Sequence, residues 1–300
     1  MKKLIFWFVC QPYLLLTIAA MLWGSNTIAG KLAVGEISPA LLVSMRWVFV
    51  AMLVLPIAWP YLKKDWPTIK SHLPFLFLLG TMGFTFFNNI MYLALHYTSA
   101  INIGIEQASM PLMIFVLNFI LFRIKSNALQ LIGFTLTLIG VVTAITNGDP
   151  LGIFRQSTNF GDLIMLIAVA CYAGYSVALK NKPDIHWLSF MSVLGVSALI
   201  SSTLFTGYEA YRGDLVLPNW YACGVVVYIA IFPSLIAQIA WIRGLELVGS
   251  NGASLFINFV PVFSSAFAII LLGEQFHLYH AIALVLVVGG VALAQYKSRP

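Results

Sequence analysis

The stretch Ala108 to Leu121, "ASMPLMIFVLNFIL", has a counterpart 150 residues further on, Asn258 to Leu271, "NFVPVFSSAFAIIL". Superposing them pairs Pro111 with Pro261, Ile120 with Ile270 and Leu121 with Leu271. The same displacement pairs Gly24 with Gly174, Leu95 with Leu245, Leu136 with Leu286, Gly140 with Gly290, Val141 with Val291 and, more loosely, Asn88 with Gln238. Apolar helices resemble one another by composition alone, but one displacement that aligns glycines and prolines in both halves reads as an internal duplication. The repeats are expected at 1–147 and 148–300.

Composition identifies the solvent of these repeats. The chain has 300 residues, 61% hydrophobic and 9% charged, with a mean hydropathy of +0.94, against about 45–50% apolar and about 25% charged in a soluble domain. It reads as an all-α integral membrane protein. Its net charge of +6 therefore bears on orientation in the bilayer, and no nucleic-acid partner is expected. A spanning helix needs about 20 apolar residues. Ten stretches qualify, near 12–34, 38–59, 73–95, 99–122, 128–146, 160–179, 187–207, 219–242, 249–271 and 278–296. Joints such as "KKDWP", "TNGDPLG" and "KNKPD" separate them. The start, "MKKLIFWFVC", is read as an uncleaved lead into the first span. Cys10, Cys171 and Cys223 show no metal-ligand spacing and are expected to be small core residues.

Twelve Lys and Arg fall in connections on the side of the N-terminus and three on the other side, with Arg46 inside the second span. The positive-inside rule then puts both termini in the cytoplasm, and an even number of spans requires both on one side. Five spans per repeat is odd, so the second copy enters the membrane inverted, a construction common among secondary transporters.

"LWGSNTIAGKLAVGEISPALLVSMRW" (Leu22 to Trp47) resembles the opening of an EamA repeat of the drug/metabolite transporter superfamily. The likeness lies in its Trp-Gly-Ser-Asn and in a Pro followed seven residues later by Arg. "GLELVGSNGASLFINFVPVFSSAFAIILLGEQFHLYHAIALVLVVGGVALA" (Gly244 to Ala294) resembles the closing part, with Leu-Gly-Glu after span nine and Gly-Gly in span ten. The resemblance covers nearly the whole chain. It implies a ten-span transporter with cytoplasmic termini and a central cavity lined mainly by spans 1, 3, 4, 6, 8 and 9. The first half departs where Leu-Gly-Glu is replaced by "LFRIKS" (Leu121 to Ser126).

Helical rise places the polar residues in depth. Glu106 lies about 10 Å below the outer end of span four, and Arg46 lies at nearly the same depth in span two. Asn26, Asn88 and Asn89 fall about 9–12 Å below that face. Tyr175, Gln238 and Asn258 are expected in the inner half of the bilayer. Asn89, Tyr92 and His96 share a helical stripe, as do Trp23, Asn26 and Gly30, while Gln238 and Trp241 stand three apart. These are substrate-site candidates, and amides joining helices without binding anything are the alternative. Glu106, beside Gln107, is expected to face the interior. It either titrates and couples proton movement to substrate, or pairs with Arg46 as a fixed strut. Pro111 and Pro261 break the backbone ladder of spans four and nine, as hinges or as static kinks.

The sequence has no HExxH, GxSxG or CxxC, and His277 and His280 lack a third ligand. No enzymatic activity, metal or cofactor is expected. The functional expectation is an inner-membrane secondary transporter of small organic metabolites, a monomer or weak homodimer, exporting amino acids or related amphipathic compounds as the resemblance suggests. An importer of a nucleoside or cofactor-like metabolite is the alternative, and a membrane enzyme or scaffold stands behind it.

Overall fold

The computed structural model describes residues 10–123, 127–149 and 159–296. The expected lead over residues 1–9 and most of the joint between the repeats lie outside them. Within them the fold is helical throughout. Nine helices have the length and hydropathy of membrane spans: α1 Pro12–Leu32, α2 Pro39–Ser71, α3 Leu73–Ala94, α4 Ala100–Phe122, α5 Ala128–Ile145, α6 Phe160–Asn181, α7 Trp187–Arg212, α8 Trp220–Gly249 and α10 Leu278–Gln295. The tenth, α9 (250–272), is entered at Gly249, whose φ of 75° lets the chain reverse direction. Successive helices alternate in direction, so the described ends share one face, called here the terminal face; the other is the distal face.

The ten spans agree with expectation, but α2 does not stop near 59. It runs through Pro56, Pro60 and Pro67 to Ser71, and only His72 separates it from α3. "KKDWP" is therefore helix, not a joint. The extension docks on the start of α7, where the His186 N–H donates to Asp65 at 2.9 Å and Tyr61 stacks on the His186 ring at 3.9 Å. This tertiary anchoring outweighs the local cost of the prolines. The cysteines also depart from expectation: Cys10 is exposed, while Cys171 and Cys223 are half-buried.

Helix contacts exchange under the repeat relation. α1 packs on α8 and α9 as α6 packs on α3 and α4, and α2 meets α7 while α5 meets α10. Irregularities match as well. A π-helical turn occupies Thr81–Phe86 in α3 and Phe232–Ile236 in α8. α4 is broken into α4a Ala100–Gln107 and α4b Met110–Phe122. α9 breaks at the corresponding place, between Ile257 and its second part, α9b Val260–Leu272. Pro111 and Pro261 each sit in the first turn of the resumed helix, where a missing N–H costs least. Where α9b ends on Gly273 at φ 68°, α4b ends on Arg123 at φ 55°. The departure "LFRIKS" thus keeps a left-handed cap without its glycine.

The α5–α10 contact is a close approach of two backbones. A Cβ on Gly290 would lie 2.4 Å from the Gly133 carbonyl oxygen, and one on Gly133 equally near that of Gly290. Gly290→Val should therefore lower stability by about 1–3 kcal/mol or more through overpacking. Thermal unfolding in detergent would read this, and an unchanged midpoint would contradict the close approach.

Candidate functional site

The centre of the bundle is organised by Arg46, buried at 7% exposure. Its Nε donates to Ser234 Oγ at 2.7 Å. Its Nη1 donates to Asn88 Oδ1 at 2.7 Å and to the Tyr92 hydroxyl at 3.1 Å. Tyr92 in turn donates to Asn26 Oδ1 at 2.9 Å, so α1, α2, α3 and α8 meet in one network.

Both π-turns feed this network. A π-turn leaves carbonyls without their usual α-helical partner, and side chains here take them up. Asn88 Nδ2 donates to the Phe84 carbonyl at 2.7 Å, and Ser234 Oγ to the Ile229 carbonyl at 2.6 Å. Two of the three acceptors of Arg46, Ser234 and Asn88, are therefore each oriented by the irregularity of their own repeat.

The strut between Arg46 and Glu106, one of the two readings of Glu106, is not present among the described residues. Ion pairs among the described residues are Arg212–Asp214 and Arg243–Glu246, both exposed and local. Equal depth did not bring the two together because depth does not fix the direction a side chain takes from its helix. Arg46 turns toward α3 and α8, whereas Glu106 turns toward α6. Three neutral oxygens hold the guanidinium and no described carboxylate neutralises it. Nη2 donates to no described group.

Glu106 is fully buried, and no N–H or O–H reaches either carboxylate oxygen. The group facing it is the carboxyl of Asp162, in the first turn of α6. Asp162 is itself buried and accepts from the Thr98 hydroxyl. Sequence reading passed over Asp162 because it stands where a helix start is ordinarily wet. Beside it Gly161, whose missing side chain lets α6 lie against Ala94 and Thr98, brings the start of α6 close to the end of α3.

The other candidates distribute around these two centres. Gln107 donates to Thr27 at 3.1 Å and ties α4a to α1. Trp23 and Trp241 pack at 5.2 Å between ring centroids. Tyr175 lies against Gly83 of the first π-turn and packs on Phe84 at 5.8 Å. The Asn89 amide is sealed without a partner, and Gln238 and Asn258 are half-buried. His96 lies beyond the helix end and is exposed, so it leaves the stripe of Asn89 and Tyr92.

Closure is unequal at the two faces. On the distal side α9b packs against α4a, with Ser264 filling the space beside Gly104. Glu274, of the Leu-Gly-Glu, accepts from the Ala100 and Ile101 N–H groups at 2.8 and 3.0 Å. Lys31 donates to the Leu95 and Thr98 carbonyls at 2.7 Å each, and Glu209 accepts from Ala40 N–H at 2.9 Å. On the terminal side the symmetry-matched packing of α4b on the first part of α9 has no comparable counterpart among the described residues. No residue of α4b is buried. A Cβ on Gly24 would strike α9b, whereas one on its counterpart Gly174 would meet nothing within 4 Å.

Ten helices in two matched sets, broken at equivalent points and closed at one face, define a multi-pass membrane transporter fold. The model of the EamA-like transporter family matches residues 11–146 and again 159–296, and the chain belongs to that family. It is 28% identical over 290 residues to an uncharacterized transporter of Bacillus subtilis, YyaM, covering 94% of this chain and 92% of the relative. It is 27% identical to an uncharacterized transporter of Archaeoglobus fulgidus, covering 96% and 98%. A solved crystal structure superposes with a TM-score of 0.63 at 20% identity, covering 94% of this chain and 96% of its own.

Removing one partner of the Arg46 network leaves a buried donor unsatisfied, at about 1–3 kcal/mol. Asn88→Leu should therefore lower the unfolding midpoint clearly more than Gln238→Leu, which disturbs no described hydrogen bond. Equal midpoints for the two variants would mean that the network carries no stability.

Proposed function

We propose that the protein is a secondary transporter of a bacterial inner membrane that exports amino acids or related amphipathic metabolites by alternating access. The observation that carries this reading is the guanidinium of Arg46, buried between the two repeats with no described carboxylate to neutralise it. A cation so placed is costly unless compensated, and an arginine with an unused N–H suits the carboxylate of a substrate. The neighbouring amide of Asn88 and the phenol of Tyr92 offer further polar contacts. Trp23, Trp241 and Tyr175 supply apolar surface for the rest of an amphipathic molecule.

Direction and orientation are part of the same proposal. The matched halves are closed distally and parted at the terminal face, which the distribution of Lys and Arg assigns to the cytoplasm. A transporter waiting in that state receives its cargo from inside. α4 and α9 would exchange roles at their breaks to open the distal face, with Pro111 and Pro261 keeping the breaks in place. Glu106 would couple this movement to protons.

Counterflow in proteoliposomes with labelled amino acids and nucleosides tests the substrate class. Amino acids should exchange and nucleosides should not. Arg46→Gln should cut amino-acid exchange by at least about tenfold, the loss of one charge-assisted contact of about 1.5–3 kcal/mol. Exchange that is indifferent to Arg46 would remove the carboxylate reading. Orientation is tested separately: a reporter fused after Pro300 should be active only in the form that works in the cytoplasm.

A further inference from the structure

We propose that Glu106 and Asp162 together form the proton-binding site of the transporter, one proton being shared between the two carboxyl groups. The inference rests on the transport reading above and assigns its coupling ion to a particular pair. α4a and α6 both start at the distal face, and each projects its side chains back toward its start. This brings Glu106, near the end of α4a, up to Asp162, near the start of α6. Both are buried, and the two carboxyl groups face one another.

The surroundings supply acceptors in excess of donors. Glu106 contributes two oxygens that no described donor reaches, and the Asn102 carbonyl oxygen, on a residue 6% exposed, is also unpartnered. Asn102 stands one turn above Glu106 on the same face, with its amide nitrogen 3.5 Å from the Thr98 hydroxyl. That hydroxyl donates to Asp162. Two carboxylates in contact and away from water repel strongly when both are ionised. One proton removes the repulsion and provides the missing donor: the O–H of one carboxyl donates to an oxygen of the other. Such a pair titrates as a unit.

Other charged groups near the pair leave this arrangement intact. Tyr279, on α10, is the phenol that senses Asp162, and His280 follows it, buried, accepting the His277 N–H at 3.0 Å. Glu274 is occupied by the α4a N-terminus and faces Lys31, whose ammonium holds the Leu95 and Thr98 carbonyls in the turn after α3. α5 and α9b bring no titratable side chain to α4a.

The position suits coupling. The Glu106 carbonyl accepts from the Ser109 hydroxyl at 2.6 Å, so the carboxylate stands one residue before the break in α4. Any opening of the distal face that parts α4a from α6 separates the two carboxyls and exposes them to distal water. With the proton the pair packs and the face closes; without it the two charges push the helices apart.

Infrared titration of the purified protein in lipid nanodiscs, from acid to alkaline pH, tests the pair without reference to substrate. Wild type should show the carbonyl band of one buried protonated carboxyl, lost on alkalinisation. Glu106→Gln and Asp162→Asn should each abolish that band at neutral pH, because the new amide donates to the remaining carboxylate. Thermal unfolding would check that both variants are folded. Absence of the band in wild type, its persistence in both variants, or its removal by sodium ions with no response to pH would each overturn the shared proton. In proteoliposomes Glu106→Gln should abolish the response of amino-acid transport to a pH gradient. A wild type without counterflow would sink the transport reading alone, and the infrared result would still decide the proton site.

Discussion

Hydrocarbon offers no hydrogen bonds to the backbone, so every place where a spanning helix departs from α-geometry has to be closed from within the protein. Among the described residues the π-turns and the helix breaks are such departures, and they come in matched pairs. The π-turns of α3 and α8 release carbonyls that Asn88 and Ser234 take up, and those two side chains then hold Arg46. The breaks in α4 and α9 are closed differently, with the Ser109 hydroxyl returning to the Glu106 carbonyl at 2.6 Å. The polar centre of the molecule is thus the set of groups that satisfies its own irregular backbone.

The arrangement also explains how a buried cation is tolerated. Arg46 spreads its charge over Ser234, Asn88 and Tyr92 and lies 5.5 Å above the Trp47 ring, whose face is electron-rich. Trp47 is fixed in turn by stacking on Phe84, within the first π-turn, at 4.9 Å. Dipoles and a ring face are partial compensation for a whole charge, and a bound anion would complete it.

Duplication gives two equivalent copies of each gate, and this structure closes one of them. The distal gate is closed by charged caps, Glu274 on α4a and Glu209 on α2, and by Lys31 on α3. Carboxylates at helix starts and an ammonium at a helix end complement the helix dipoles, so these latches are favourable without ion pairing. The contrast between Gly24, pressed against α9b, and Gly174, facing open space, is the same asymmetry seen at one position. Two identical requirements for close approach exist in the sequence, and one of them is met.

The sequence by itself determined the solvent, the ten spans and the repeat relation, because apolar runs of bilayer length and matched Gly and Pro are local signals. It also placed Arg46, Asn26, Asn88 and Asn89 at nearly one depth, since depth follows from helical rise. It failed where azimuth mattered: Arg46 and Glu106 were expected as a possible pair because they share a level, and they face different neighbours. It had no means to find the π-turns, which arise from packing between helices and have no composition of their own. Asp162 was overlooked for a related reason. Its place in the first turn of α6 is ordinary, and only the approach of α4a turns it into the partner of Glu106. Tertiary structure alone decided which charged groups meet and which face is closed, because both depend on helix rotation and on contacts between residues far apart in the chain.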